Sequence, residues 1–258
     1  MGKELEYTKN DVLMRFFDTC EHLKTVWNSP EAMKEVDLFQ NGLKMKRVQR
    51  ELADLLQIPK TKITPDLVDA GFYLCAYEFT IHGLISPWCQ LFVRPNAEIV
   101  EYASDLKLYY KRGYGHEINS QASCVLFQDL FKRLEKAANE FRPGQPVSEV
   151  ATVQIGHAET LLPLMTLLGL FKDNIPLTAD NYLSQNNRAF RGGKIMPFLG
   201  NLMAVLWKCS NDFRLQLRVN EKPVQVPGLN DLSPLFENVK KQYQQILGCN
   251  QEAICKNK

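Results

Sequence analysis

Between Leu134 and Val150 the spacing of apolar residues changes, and that change limits the possible folds more than any composition figure. Upstream, from Asp11 to about Leu134, apolar residues recur three and four apart, the period of helices with one buried face. The spacing predicts helices over 12–27, 30–57, 64–85, 98–110 and 120–140, with Pro59, Pro65 and Pro87 as punctuation. The polar segment EFRPGQPVSE (140–149), with two prolines and a glycine, reads as a linker. Beyond it, 150–156 has the look of a buried strand and 159–172 of a helix. Residues 201–209 and 213–219 read as strands joined by a polar Ser210-Asn211-Asp212 turn, and 233–247 as a closing helix. A helical half followed by a strand-rich half implies two lobes, 1–145 and 146–258, the second contributing to an α/β sheet.

At 258 residues and 45% hydrophobic composition the chain can bury a sizeable core. Its 31 basic and 29 acidic residues nearly cancel, leaving +2, so no global field points to nucleic acid or to an anionic membrane, and any basic site must be local. No run approaches the length of a spanning helix. The opening Met-Gly-Lys-Glu-Leu-Glu-Tyr lacks the apolar core of a signal peptide, and Glu6 stands where a myristoylation motif needs Ser or Thr; taken literally, this is a cytosolic start. The seven cysteines point the other way. Cys249 and Cys255 flank a short polar loop that suits a small tail disulfide, and an odd total leaves one thiol over. Several buried free thiols are the alternative. Zinc is disfavoured, because there is no Cys-x-x-Cys and the four histidines are not at ligand spacing with the cysteines.

The densest chemistry lies in VQIGHAETLLPLMTLLGLF (153–171), where His157 and Glu159 stand together between two elements that read as buried. Proline clashes inside a helix, so Pro163 belongs in the first turn and sets the helix start near Glu159 or Thr160. Both side chains then sit at a helix mouth and at the carboxyl end of a strand, where the helix dipole and free N–H groups favour an anion, commonly a phosphate. An imidazolium can donate to a phosphate oxygen, and a protonated carboxyl can deliver a proton to a leaving alcohol. The plainer alternatives are a glutamate favoured by the dipole alone and a hydrogen-bonded core histidine.

GHAETLLPLMTLLGLFKD (156–173), DLKLYYKRGYGHEINSQASCVLFQDLFKRL (105–134) and SPWCQLF (86–92) together resemble the multiple inositol polyphosphate phosphatases, a branch of the histidine acid phosphatases. The resemblance runs from NDVLMRFFDTCE at Asn10 to Cys249 and Cys255, and its most specific element is His-Ala-Glu, where other histidine acid phosphatases carry His-Asp. It implies a histidine-phosphatase-like α/β core with a large, mainly helical cap lobe. The implied reaction is hydrolysis of phosphomonoesters of inositol polyphosphates such as phytate through a phosphohistidine, without metal or other cofactor. His157 would hold the phosphoryl oxygens and Glu159 would be the proton donor. The resemblance also implies a secretory protein, in the endoplasmic reticulum lumen or outside the cell.

That family's nucleophile lies in an Arg-His-Gly-x-Arg-x-Pro motif, which this sequence does not contain. In TIHGLIS, Ile81 occupies the place of the arginine, so His82 reads as structural. The core is therefore expected to be incomplete, its first strand missing. Two expectations follow: a truncated form of an active phosphatase, which is preferred, or a non-catalytic relative that binds polyanions or a protein partner. The helical half as a structural interaction module is a third.

A phosphate-rich ligand needs cations, and KRGYGHEINS (111–120) offers Lys111 and Arg112 beside Gly113 and Gly115, with Asn119 or Ser120 as a helix cap. A basic helix end before a glycine stop explains the same residues. His116 reads as exposed or as a local hydrogen-bond partner. Arg188, Arg191 and Lys194 read as solvated surface. Tyr109, Tyr110, Trp27, Trp88 and Trp207 fall within apolar patterns and read as core.

Overall fold

The computed structural model describes residues 7–256, which form two compact units. Of these residues one unit gathers 7–29, 112–172 and 194–256, the other 30–111 and 173–193. Each is assembled from segments far apart in sequence, so neither coincides with 1–145 or 146–258.

The second unit is helical. Leu43–Leu56 buries Met45, Val48, Leu52 and Ala53, a single stripe at helical spacing, and ends where Gln57 turns left-handed at φ 55°. Pro65–His82 starts on Thr64, whose hydroxyl accepts from the Leu67 N–H at 3.3 Å, and stops at Gly83 at φ 66°. Its apolar residues run round the whole helix, so Tyr73, Tyr77, Phe79 and Ile81 stay exposed, and so does His82, which the sequence reading made structural. The Cys75–Cys89 disulfide ties this helix to the turn Pro87–Leu91. Along Arg94–Arg112, Ile99, Val100, Tyr102, Ala103 and Leu106 are buried. Asp105 is buried among them and accepts from the Arg188 guanidinium and from the Gly192 N–H at 2.7 Å. Tyr102 and Tyr110 donate to the carbonyls of Thr178 and Leu177 at 2.7 and 2.9 Å, which fastens the returning 173–193 segment. Arg188 is therefore not the solvated surface residue expected: a buried carboxylate holds it.

In the first unit a three-stranded antiparallel sheet runs in the order β1-β2-β3, with β1 Leu202–Cys209, β2 Asp212–Val219 and β3 Lys222–Val224. Leu202 pairs with Val219 and Cys209 with Asp212. Alternation along β2 buries Leu215, Leu217 and Val219, and the helix Phe236–Gln242, with Phe236 and Val239 buried, packs on this strand. Aromatic rings fill the neighbouring core: Phe127 stacks on Phe131 at 4.5 Å and meets Tyr243 edge-on at 5.5 Å, while the Tyr243 hydroxyl donates to the Leu168 carbonyl at 2.8 Å. Trp207 on β1 is exposed, as is Trp88 in the other unit, against the expectation that both lie in the core.

Several expected elements differ. The 12–27 helix breaks into Asp11–Met14, Phe16–Thr19 and Glu21–Trp27, at Arg15 and at the disulfide-bonded Cys20. The helix predicted over 159–172 is Ala158–Leu167, closed by Gly169 at φ 75°. Residues 150–156 have no regular structure and belong to no ladder, and no parallel pairing occurs among the described residues. Val150, Val153 and Ile155 are 82%, 84% and 87% exposed, so the buried-strand reading fails: β-branched composition favours extended backbone, but a strand needs a neighbouring one. The segment is held by its polar side chains, Gln154 donating to Asp129 at 2.7 Å and Thr152 to Glu149 at 3.2 Å. No helix among the described residues is long and apolar enough to cross a membrane.

The tail disulfide expected between Cys249 and Cys255 does not form. Cys249 joins Cys124 and Cys255 joins Cys20, so both bridges span distant segments. Among the described residues only Cys209, exposed, is left free.

Candidate active site

His157 is the N-cap of the Ala158–Leu167 helix, with extended backbone (φ −112°, ψ 172°) that turns the chain into the first turn. Its carbonyl accepts from the N–H groups of Thr160 and Leu161 at 2.9 and 3.0 Å, and its own N–H donates to the Thr160 hydroxyl at 3.2 Å. That hydroxyl donates in turn to the Met14 carbonyl at 2.6 Å, tying the helix start to the end of Asp11–Met14. A side chain at Gly156 would crowd the helix start: a Cβ there would meet the Thr160 hydroxyl at 2.9 Å and the Met14 methyl at 3.0 Å. Pro163 lies deeper in the helix than the sequence suggested and deprives the Glu159 carbonyl of its intrahelical donor.

The His157 imidazole is exposed, and its Nε2 lies 3.0 Å from Arg15 Nη1. A guanidinium only donates, so in the neutral ring Nε2 is the acceptor and the proton is on Nδ1. Arg15 is itself anchored by Asp18, 2.6 Å from its Nε. The break between Asp11–Met14 and Phe16–Thr19 falls at this arginine.

Glu159, in the first turn, pairs with Arg112, whose Nη2 donates to Oε1 at 3.0 Å. The guanidinium carbon of Arg112 lies 4.2 Å over the Trp27 ring. Trp27 donates its indole N–H to Asn119 at 3.0 Å, and the fully buried Asn119 donates to the Gly113 carbonyl, also at 3.0 Å. Partial burial pushes the Glu159 carboxyl upward. Its own backbone N–H, the Arg112 guanidinium and His157 outweigh that and hold it below the ordinary glutamate range.

Of the four residues singled out from sequence, the structure brings His157, Glu159 and Arg112 together in one unit. Lys111, the adjacent helical residue, is exposed and belongs to the other unit. Neither Asn119 nor Ser120 is the expected helix cap: both lie inside Glu117–Gln121, which starts after His116, and Cys124–Glu140 starts after Ser123. Arg15, Trp27 and Asn119 were not recognised as site residues, since their partners lie far off in the chain and no local pattern marks such contacts. Chemically, the arrangement is an anion-attracting helix start that carries an imidazole at its cap and a carboxylate in its first turn, each in contact with its own arginine.

The profile of the histidine phosphatase superfamily (branch 2) matches residues 3–220. Among curated proteins, multiple inositol polyphosphate phosphatase 1 of Gallus gallus is 42% identical over 98% of this chain and 58% of its own length. The Homo sapiens protein of the same name is also 42% identical, over 96% of this chain and 53% of its own. The chain thus spans little more than half the length of these relatives. Two solved structures share the fold: the phytase from D. castellii (TM-score 0.69, 18% identity, 88% of this chain and 47% of that one) and the Bifidobacterium longum multiple inositol polyphosphate phosphatase in complex with inositol hexasulfate (TM-score 0.68, 16% identity, 86% and 58%).

Proposed function

The chain belongs to branch 2 of the histidine phosphatase superfamily, and from that membership we propose that it forms part of a phosphomonoester hydrolase acting on inositol polyphosphates. The observation that carries this is the placement of His157 and Glu159 at one helix start, as N-cap and in the first turn, each in contact with an arginine. Arg15, His157 and the helix N-terminus hold the phosphoryl oxygens, spreading over several donors the charge that builds on them as the ester bond breaks. Glu159, once protonated, delivers its proton to the departing inositol oxygen. Lys111 and Arg112 are proposed to contact further phosphates of the ring.

No group in this site is placed to attack phosphorus. The sequence has no Arg-His-Gly, and His157 is engaged with Arg15. The attack is assigned to a histidine of an Arg-His-Gly segment acting together with these residues, as the resemblance implies. The missing motif also favours a second reading, a protein that binds polyanions without hydrolysing them.

One experiment separates the two. The chain is joined to an Arg-His-Gly-bearing segment of a relative, incubated with inositol hexakisphosphate, and followed by inorganic phosphate release and calorimetry. Release that falls at least tenfold in Glu159→Gln supports the hydrolase. Tight binding without release supports the second reading, and release untouched by Glu159→Gln removes Glu159 from its role. The three disulfides support folding in an oxidising compartment, the lumen of the secretory pathway or the cell exterior.

A further inference from the structure

We propose that Arg112, stacked on Trp27, is a positioning residue that governs when Glu159 carries a proton, keeping the carboxylate charged in the resting site and releasing it to be protonated when an anion takes the guanidinium. The role of Glu159 as an acid rests on the hydrolase reading; the control of its charge by Arg112 does not.

Glu159 stands between two opposed demands. A proton donor must hold its proton near working pH, whereas Glu159 sits beside a guanidinium 3.0 Å away that favours the charged form. This partner is not a mobile surface cation. Only 12% of the Arg112 side chain is exposed, it lies over the Trp27 ring at 4.2 Å, and Trp27 is fixed through Asn119 to the Gly113 carbonyl, one residue beyond Arg112 itself. The backbone at the helix end, the buried amide, the indole and the guanidinium therefore form a closed brace that aims Arg112 at Oε1. Stacking on an indole face holds a planar cation while leaving its edge N–H groups directed outward, and such an edge can exchange a carboxylate for a phosphate oxygen. Once the guanidinium has turned to a phosphate, the partial burial of Glu159 acts with less opposition and favours the neutral acid. The proton comes from solvent, and a ligand that brings negative charge nearby adds to the same tendency.

The elements packed against the Glu159 helix carry other charged or titratable groups. On its own helix His157 caps the start and is bonded to Arg15, which is bonded to Asp18 on the neighbouring Phe16–Thr19 helix. On Glu117–Gln121, which packs on the same helix, are the capping His116 and Glu117, the latter bonded to Gln121 at 2.6 Å. On Cys124–Glu140, Asp129 is held by Arg133 and Gln154. Arg112 is the cation in direct contact with the Glu159 carboxylate.

The test reads the proton on Glu159 and needs no turnover. In ¹³C-labelled chain, the Glu159 carboxyl resonance is assigned by its loss in Glu159→Gln and titrated in the wild type, in Arg112→Gln, in Arg112→Lys and in Trp27→Phe. The midpoint is expected to move upward in Arg112→Gln, less in Arg112→Lys, and least in Trp27→Phe, which keeps a stacking face but loses the indole N–H. Inositol hexasulfate is expected to raise the wild-type midpoint more than that of Arg112→Gln. An unchanged midpoint in folded Arg112→Gln overturns the proposal; if that variant does not fold, an unchanged midpoint in Arg112→Lys does so. Equal responses to inositol hexasulfate with and without Arg112 overturn the release step. Failure of the joined chain to hydrolyse inositol hexakisphosphate bears on the hydrolase reading alone.

Discussion

Thr160 gives the site its geometry without chemistry of its own. Its hydroxyl accepts from the His157 N–H and donates to the Met14 carbonyl, so one oxygen orients the motif and joins it to the segment leading to Arg15. Thr160→Val keeps the shape and strands both partners; a loss of about 1–3 kcal/mol is expected in urea unfolding, with weaker polyanion binding, and wild-type stability would contradict this account. Glu159 gives a pH prediction. Its folded value lies below the unfolded one, so it contributes stability above the ordinary glutamate range, roughly pH 4.3, and that contribution is lost as pH falls through the folded value. The thermal midpoint of the wild type relative to Glu159→Gln should therefore decline from pH 6 to pH 3; a constant difference would count against it. At this scale His157, Glu159 and Arg112 were legible, because a His-x-Glu triplet at a helix start and a basic helix end are local patterns. Arg15, Trp27 and Asn119 were not, since the Trp27–Asn119 and Arg15–His157 contacts join residues 92 and 142 positions apart.

Elements were readable to the degree that their stability is local. Arg94–Arg112 matches its predicted period, and Leu43–Leu56 the later part of the stretch predicted over 30–57, which breaks at Asn41 and Gly42; a helix satisfies its own backbone and only its apolar stripe seeks neighbours. The β1–β2 hairpin was found through its two runs and short polar turn, while the three-residue β3 is too short to show a pattern. Residues 150–156 misled for the opposite reason: extended propensity can be read from Val and Ile, a pairing partner cannot. In the helical unit the buried Asp105–Arg188 pair fastens 173–193 to Arg94–Arg112. Asp105→Asn removes the charge opposite a buried guanidinium and is expected to cost about 3 kcal/mol in urea unfolding. The double change Asp105→Leu with Arg188→Met should cost less than Asp105→Asn alone; a larger cost would mean that the pair itself, rather than its burial, supplies the stability.

For the molecule as a whole the cysteines had the largest consequence and were the hardest to pair. Sequence favoured neighbours in the tail, yet the bridges close loops of 235, 125 and 14 positions. Each long closure restricts the unfolded chain by about 5 kcal/mol in the chain-entropy picture. Iodoacetamide should add one group to the denatured, unreduced chain, at Cys209, and seven after reduction; mass spectrometry showing more than one before reduction would contradict the pairing. The Cys20–Cys255 bridge also makes the backbone between them a covalent ring. A protease nicking that ring once, for instance in the polar stretch 142–148, would open it without dividing it, so the product would migrate as one band on a gel until a thiol was added and as two afterwards.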